Sequence, residues 1–385
     1  MLSSPRGGGV DKQMRLRWLT AGESHGSALL AVVEGMCAGL AIGTEDLIAD
    51  LRARSEGAGR SARQQGESVE PVILSGVRNG VTTGAPIALL LANEVKGEDG
   101  FEALPDRSEH PSRTVPRPGH ADLAGCLKRP GLDLRDIAER ASARETAART
   151  MAGALAAKLL GELGVRIASR VVRVGAVDAD GPFGEPVPST PFGTGDPDAE
   201  RRMKRELAEA ESQGEGLGGI FEVQATNVPA GLGDYTQWDL RLDGRLSQAL
   251  MSIPAVKAVE IGDGIAIVSV RSSEARDAIV MSEGKLMRPT NRAGGIEGGV
   301  SNGMPIRARA YVKPIPGVSA PIASVDLATG EPAPAGHERH DTCVVRAAAV
   351  VGRAMTALVL ADALLTRTGG DTLDQVRAAL ARLGR

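Results

Sequence analysis

The chain has 385 residues, 42% hydrophobic and 24% charged, with a net charge of −3 at pH 7. Such proportions exclude wholesale disorder, no uninterrupted run of about 18 apolar residues suggests a membrane span, and the charge balance disfavours a general polyanion-binding surface. Aromatic residues make up only 2% of the chain, too few to offer stacking platforms to single-stranded nucleic acid.

Residues 1–13 lack the apolar stretch of a secretory signal and are expected to form a flexible leader before one domain spanning 14–385. Ordered structure is expected from Arg15-Leu16-Arg17-Trp18-Leu19, and Ala28 to Val33 reads as a buried strand. Thr44-Glu45-Asp46 marks a helix start, with Leu47, Ile48 and Leu51 as its buried stripe, ending near Arg54 before Gly57 and Gly59. Val72 to Val77 and Pro86 to Asn93 are strand-like, with an Asn79-Gly80 turn between them. Residues 94–122 are polar, rich in Pro and His, and too long for an ordinary connection, so they are expected to form a functional or disordered loop.

From Ser142 to about Gly164 the i+4 recurrence of Ala147, Met151, Leu155, Leu159 and Leu163 predicts a helix. Residues 177–197 read as a surface excursion. A charged helix is expected at 198–213, strands at 219–226 and 257–270, a helix from Asp239 to Met251, a strand from Met304 to Tyr311, and closing helices at 343–366 and 371–383. Helices and strands follow one another without a regular βαβ repeat, which indicates an α+β unit.

Several clusters carry chemistry. Gly22-Glu23-Ser24-His25-Gly26 exposes a histidine in a glycine-flanked turn, which suits proton transfer near neutral pH; no hydrolase elbow is expected of it. Arg54, Arg60 and Arg63 fall within ten residues with only Glu56 among them, a pattern that fits an oxyanion clamp. Arg117-Pro118-Gly119-His120 fixes a second histidine beside an arginine on a rigid turn. Arg140-Ala141-Ser142-Ala143-Arg144-Glu145 is expected to open the long helix, with Ser142 and Glu145 as a capping box. The helix dipole penalises Arg140 and Arg144 at that end, so their presence argues for a compensating anion.

The glycines of 294–303 permit close backbone approach to a flat or phosphorylated ligand, without matching a nucleotide-binding fingerprint. Arg339-His340-Asp341 precedes the last long helix. Cys37, Cys126 and Cys343 show no metal-ligand spacing and read as reduced thiols of a cytoplasmic protein, and the one close histidine pair, His337 and His340, is a weak metal signal; no metal site is expected.

Taken in order, GESHG, RPGHADLAG, RASARETAAR, LMSIPAVKAVEIGDG, TNRAGGIEGG and RHDTC make the chain resemble the chorismate synthase family over residues 15 to 383. The resemblance implies a β-α-β sandwich protomer in a homotetramer. It implies a lyase that converts 5-enolpyruvylshikimate 3-phosphate to chorismate and phosphate by anti-1,4-elimination, with reduced FMN and no net redox change. It also implies that NADPH acts only indirectly, through an external flavin reductase. Matched motif by motif, His25 would donate a proton to the reduced flavin, His120 would protonate the leaving phosphate, and Asp341 would assist the flavin as the C6 proton leaves.

Ser24, Arg54, Arg60, Arg63, Arg117, Ser142, Arg144 and Arg339 would hold the substrate's phosphate and carboxylates. Arg54, Arg60, Arg140, Ala141, Ser142, Pro254, Ala255, Gly298, Lys313, Pro314, Ile315, Pro316, Gly317 and Arg339 match the flavin-contacting stretches. The chain departs from the family pattern in having Ala141 where a serine is usual, Ala58 and Ser61 in a Gly-Tyr-Gly-Arg-Gly segment, and Thr342 and Arg346 where proline is common. Two other readings remain at this point: a non-catalytic protein that binds flavin or a phosphorylated metabolite on the same scaffold, and a flavin reductase, which would lack a nicotinamide fingerprint.

Overall fold

A computed structural model describes residues 15–61, 67–93, 112–315, 322–335 and 341–383. The expected leader, most of the 94–122 loop, and Arg63, Pro316, Gly317 and Arg339 lie outside the described residues.

Two antiparallel sheets enclose a helical layer. The first has the order β1-β2-β4-β3, formed by β1 (Arg17–Ala21), β2 (Ala28–Glu34), β3 (Pro71–Ile73) and β4 (Ile87–Ala92). Alternation builds its inner face: Leu29 lies opposite Leu91, Ala31 opposite Leu89 and Val33 opposite Ile87, all buried. The second has the order β8-β9-β7-β5-β6, from β5 (Arg166–Val174), β6 (Val177–Asp178), β7 (Gly219–Thr226), β8 (Val256–Ile261) and β9 (Ile306–Val312). Its inner face carries Val171, Phe221 and Ala310 in one cross-strand row and Ile167, Ala225 and Ile306 in another.

Between the sheets lie α4 (Thr146–Glu162) and α7 (Val345–Thr368), flanked by α1 (Glu45–Ser55). Small residues bring these helices together: a Cβ on Gly153 would stand 2.3 Å from that of Ala354, and one on Gly352 would stand 2.3 Å from the Phe221 ring. The helix α7 is long and apolar enough to cross a membrane, yet nearly all of it is buried inside the fold, where it completes the core. The arrangement is the β-α-β sandwich that the resemblance implies.

Local departures from the sequence expectations have physical causes. The helix expected from Ser142 is two pieces, a 3₁₀ turn (Ala143–Glu145) and α4, preceded by a separate helix α3 (Leu134–Ala141), and α2 (Asp122–Lys128) begins where the expected loop ends. Asn79 and Gly80, both at positive φ, close a hairpin of their own that pairs Val77 with Thr82 rather than joining the two longer strands. The 257–270 stretch is β8 followed by a 3₁₀ turn at Gly264–Ser269, and Asp239–Met251 is largely α6 (Leu242–Met251). The 177–197 excursion is an ordered cover: Glu200, on α5 (Pro197–Ser212), accepts from Thr190 Oγ1, Phe192 N and Thr194 N, burying Phe192.

Candidate active site

The turn that joins antiparallel β1 and β2 carries Ser24 and His25. It satisfies G-x-S-x-G literally, but it links two strands rather than a strand and a helix, so it is no hydrolase elbow. The carboxylate of Glu139, on α3, accepts from His25 N at 2.7 Å and lies 2.8 Å from His25 Nδ1, while the Glu139 carbonyl accepts from Ser24 N. Nδ1 is thus held by the Glu139 carboxylate, which orients the ring.

Beside that turn, α1 delivers Arg54 from its last turn into the protein. Arg54 Nε donates to Thr146 Oγ1 at 3.0 Å and Nη2 donates to the Ala143 carbonyl at 3.1 Å. Arg54 and Arg144 converge on one carboxylate, Glu67, at 3.3 and 2.7 Å, and all three side chains are buried. Arg144 Nε also donates to Asn93 Oδ1 at 3.0 Å.

The compensating anion argued for Arg144 is therefore supplied by the chain itself, as Glu67. Arg140 sits not at a helix start but in the last turn of α3, where the dipole favours a cation. It donates to the carbonyls of Thr20 and Gly22 and to Thr20 Oγ1. The capping box is half formed: Ser142 Oγ accepts from Arg144 N at 3.3 Å, while Glu145 turns away to pair with Arg149 at 2.8 Å.

Arg60 lies close enough to Arg54 and Glu67 to feel their charges, and it ion-pairs with Asp341, which also accepts from Ser61 N at 2.7 Å. Gly59 makes that meeting possible. At φ 75° a Cβ there would stand 2.7 Å from Cys343 N, and the Gly59 carbonyl accepts from Thr342 N at 2.7 Å. Cys343 is buried, and burial pushes its thiol up to about 11.

The second histidine is held by a different carboxylate. His120 Nδ1 bonds Asp122 Oδ1, and Asp122 Oδ2 accepts from Arg117 N at 3.1 Å and Arg117 Nε at 2.8 Å. Full burial alone would raise the Asp122 carboxyl, but the bonds from His120 and Arg117 outweigh that and hold it well below the ordinary carboxylate range. Lys313 Nζ donates to the Gly119 carbonyl at 2.9 Å, and Lys313 N donates to the carbonyl of Ala255, a non-glycine residue at φ 70°. Arg149 Nη1 reaches Ser252 Oγ at 2.8 Å and so ties the Pro254-Ala255 segment to the first turn of α4. The Ile315 and Thr342 carbonyls both lie within 4 Å of a Cβ built on Gly216, which brings Lys313, Pro314 and Ile315 alongside the Asp341 segment.

A profile described as chorismate synthase matches residues 16–365. The chorismate synthase of Moorella thermoacetica is 50% identical over 374 residues, covering 95% of this chain and 97% of the relative. That of Carboxydothermus hydrogenoformans is 47% identical over 370 residues, covering 94% and 96%. A crystal structure of chorismate synthase superposes with a TM-score of 0.76 at 39% identity, covering 95% of this chain and 96% of that one. The chain belongs to the chorismate synthase family.

Of the expected site residues, Arg54, Ser142 and Arg144 meet at the α4 N-terminus, while Arg63, Pro316, Gly317 and Arg339 lie outside the described residues. Gly298 occupies a separate hairpin (Ile296–Glu297 with Val300–Ser301), anchored where Leu242 N donates to the Gly299 carbonyl. Gly294 and Gly295 make close approaches within the protein, to Gly262 and to the Pro305 carbonyl. At the two positions where the family commonly has proline, this chain uses what proline lacks: Thr342 supplies the N–H to Gly59, and Arg346 Nη1 donates to the Ala53 carbonyl at 2.7 Å, capping α1. Glu67, Asn93 and Glu139 escaped the motif reading because their partners lie far away in sequence. The only local signal was polarity at the end of an apolar strand or inside an arginine-rich stretch. Among the described residues no cluster of His, Cys, Asp or Glu is fit to hold a metal.

Proposed function

We infer that the protein is a lyase converting 5-enolpyruvylshikimate 3-phosphate to chorismate and phosphate, the last step of the shikimate pathway. The observation that carries this reading is the pairing of two turn-borne histidines with separate carboxylates in a chain that also buries Arg54 and Arg144 on one carboxylate. A substrate with one phosphate and two carboxylates needs such cations. An elimination that expels phosphate from C3 and a proton from C6 needs acid and base groups at two places.

His120 keeps Nδ1–H on Asp122 and offers Nε2 to the departing phosphate oxygen. Asp341, set by Arg60 and Ser61 N, is the carboxylate assigned to the proton leaving C6. His25, set by Glu139, is the second group assigned to proton donation. Arg54, Arg60, Arg63, Arg117, Arg144 and Arg339, with Ser24 and Ser142, bind the anionic groups.

Reduced FMN suits the donor set: Arg140 and Lys313 offer cations for a phosphate, and the Pro254-Ala255 and Lys313–Ile315 backbones offer carbonyls and amides for a flat ring. When bound it supplies transient reducing power, and the overall elimination stays redox-neutral. NADPH then enters only through a separate flavin reductase.

Self-association into a homotetramer is part of the same proposal, supported by apolar side chains left on the surface. Leu19, Val32, Val72 and Leu74 are exposed on strands of the first sheet and on the residue after β3, and Ile265, Val268, Met281 and Leu286 are exposed around residues 264–287. Three free thiols fit a reducing, cytoplasmic setting. An anaerobic assay with purified protein, reduced FMN and 5-enolpyruvylshikimate 3-phosphate tests the activity. Chorismate and phosphate should appear together. Flavin binding with no phosphate release would favour the non-catalytic binding protein and end the enzyme reading.

A further inference from the structure

We propose that Asn93 is a positioning residue that sets His25 against Arg144. It rests on the reading above, in which both side chains face the substrate. Asn93 follows the last residue of β4 and is 2% exposed. Its Nδ2 amide enters the concave side of the Ser24–His25 turn, donating to the Glu23 carbonyl at 2.9 Å and the Gly26 carbonyl at 2.8 Å, with the Ser24 carbonyl at 3.5 Å. Its backbone N donates to the Ser27 carbonyl at 3.0 Å. Its remaining side-chain atom, Oδ1, accepts from Arg144 Nε at 3.0 Å.

One planar amide therefore has its donor end inside the histidine's turn and its acceptor end on an arginine of the anion site. Because the amide is rigid, the separation and relative orientation of turn and guanidinium are fixed by the geometry of a single group. The turn closes on itself through Gly26 N, which donates to the Glu23 carbonyl at 3.2 Å. The other brace comes from outside, where Glu139 grips Ser24 N and His25. Asn93 and Glu139 thus hold the two sides of the same four residues. Asn93 also reaches Arg144 through its side chain. It touches no reacting atom in this scheme; its effect passes through His25.

The substitution Asn93→Asp separates its two ends. The carboxylate still accepts from Arg144, but it places an oxygen against the Glu23 and Gly26 carbonyls, so the turn must shift while Arg144 stays engaged. Expected is a fall in kcat of about 10²-fold, the scale of a misplacement near 1 Å, with KM changed by no more than about threefold because anion binding is kept. In a His25→Ala background the same substitution has nothing left to position, and kcat should fall no further.

Selective ¹⁵N labelling of the five histidines gives a readout that needs no turnover. The His25 ring signal, identified by its loss in His25→Ala, should move or broaden in Asn93→Asp while the His120 signal stays put. If Asn93→Asp does not fold, Asn93→Ser, which withdraws the amide without adding charge, is read in the same two ways. An unmoved His25 signal, or a loss of kcat that multiplies with that of His25→Ala, overturns the proposal. Absence of chorismate formation by the unmodified enzyme would overturn only the functional reading, since the ring signal would still decide the role of Asn93.

Discussion

Replacing Arg144 by alanine should destabilise the ligand-free protein, although the sequence, with two arginines thought to await an anion, argues for no loss. Arg144 donates to Glu67 at 2.7 Å and to Asn93 at 3.0 Å, both inside the protein. Removing the guanidinium takes a donor from buried Asn93 Oδ1, which costs about 1–3 kcal/mol. It also leaves Glu67 leaning on Arg54 at 3.3 Å. Breaking a buried ion pair from one side costs about 3–5 kcal/mol, and the retained Arg54 offsets part of it. A net loss of about 3–5 kcal/mol is expected, read by urea unfolding followed by circular dichroism.

Adding Glu67→Gln should return about 1–3 kcal/mol, because the stranded charge is then gone. Substrate affinity should fall in the single variant by about 1.5–3 kcal/mol for the lost charge-assisted contact. If Arg144→Ala unfolds within about 0.5 kcal/mol of the parent, the buried pair contributes nothing measurable and the account of Glu67 as the resident counter-anion fails.

Replacing His120 by alanine should slow phosphate release by about 10²–10⁴-fold, the usual worth of a general acid, and single-turnover phosphate detection would show it; an unchanged rate would remove His120 from that role. Asp122→Asn should cost about 1.5–3 kcal/mol near neutral pH, as a buried carboxylate bonded to Arg117 and His120 loses its charge. Because the folded Asp122 carboxyl ionises more readily than the unfolded one, its contribution is complete above the ordinary value of 3.8 and disappears as pH falls through the depressed folded value. The stability gap between parent and Asp122→Asn should therefore be flat above about pH 5 and close below about pH 4, as denaturant titrations at stepped pH would reveal. Gly153→Ala should lower stability by about 3 kcal/mol, the upper end for overpacking, since its methyl would meet Ala354 at 2.3 Å; a melting temperature equal to the parent's would show that the two helices can part at no cost.

What could be read in advance was whatever is encoded locally. Strand β7 and α5 follow from alternation and from a charged amphipathic period bounded by Asp196 and Gly214, and their limits fall within a residue or two of expectation. The 142–164 helix misled because helical periodicity runs on through a 3₁₀ turn, and nothing local announces that Ser142 also ends a preceding helix. Clustering marked Arg54 and Arg60, and an expected helix start marked Arg144, as charges in want of an anion. Their resident partners could not be recognised, since Glu67, Asp341 and Asn93 reach them only through tertiary contacts. The histidines were visible in their glycine turns, while the carboxylates that choose their tautomers came into view only once α2 and α3 were placed.

The contact between Gly153 and Ala354 joins the middle of the chain to its last long helix. During synthesis, the first sheet, α1 and α4 leave the ribosome well before α7 exists, so the apolar faces of Leu155, Leu159 and Phe221 must wait for the layer that covers them. Such long sequence separation slows folding and prolongs exposure of sticky surface. A truncation that removes α7 should therefore yield a chain dependent on chaperones rather than a smaller folded domain.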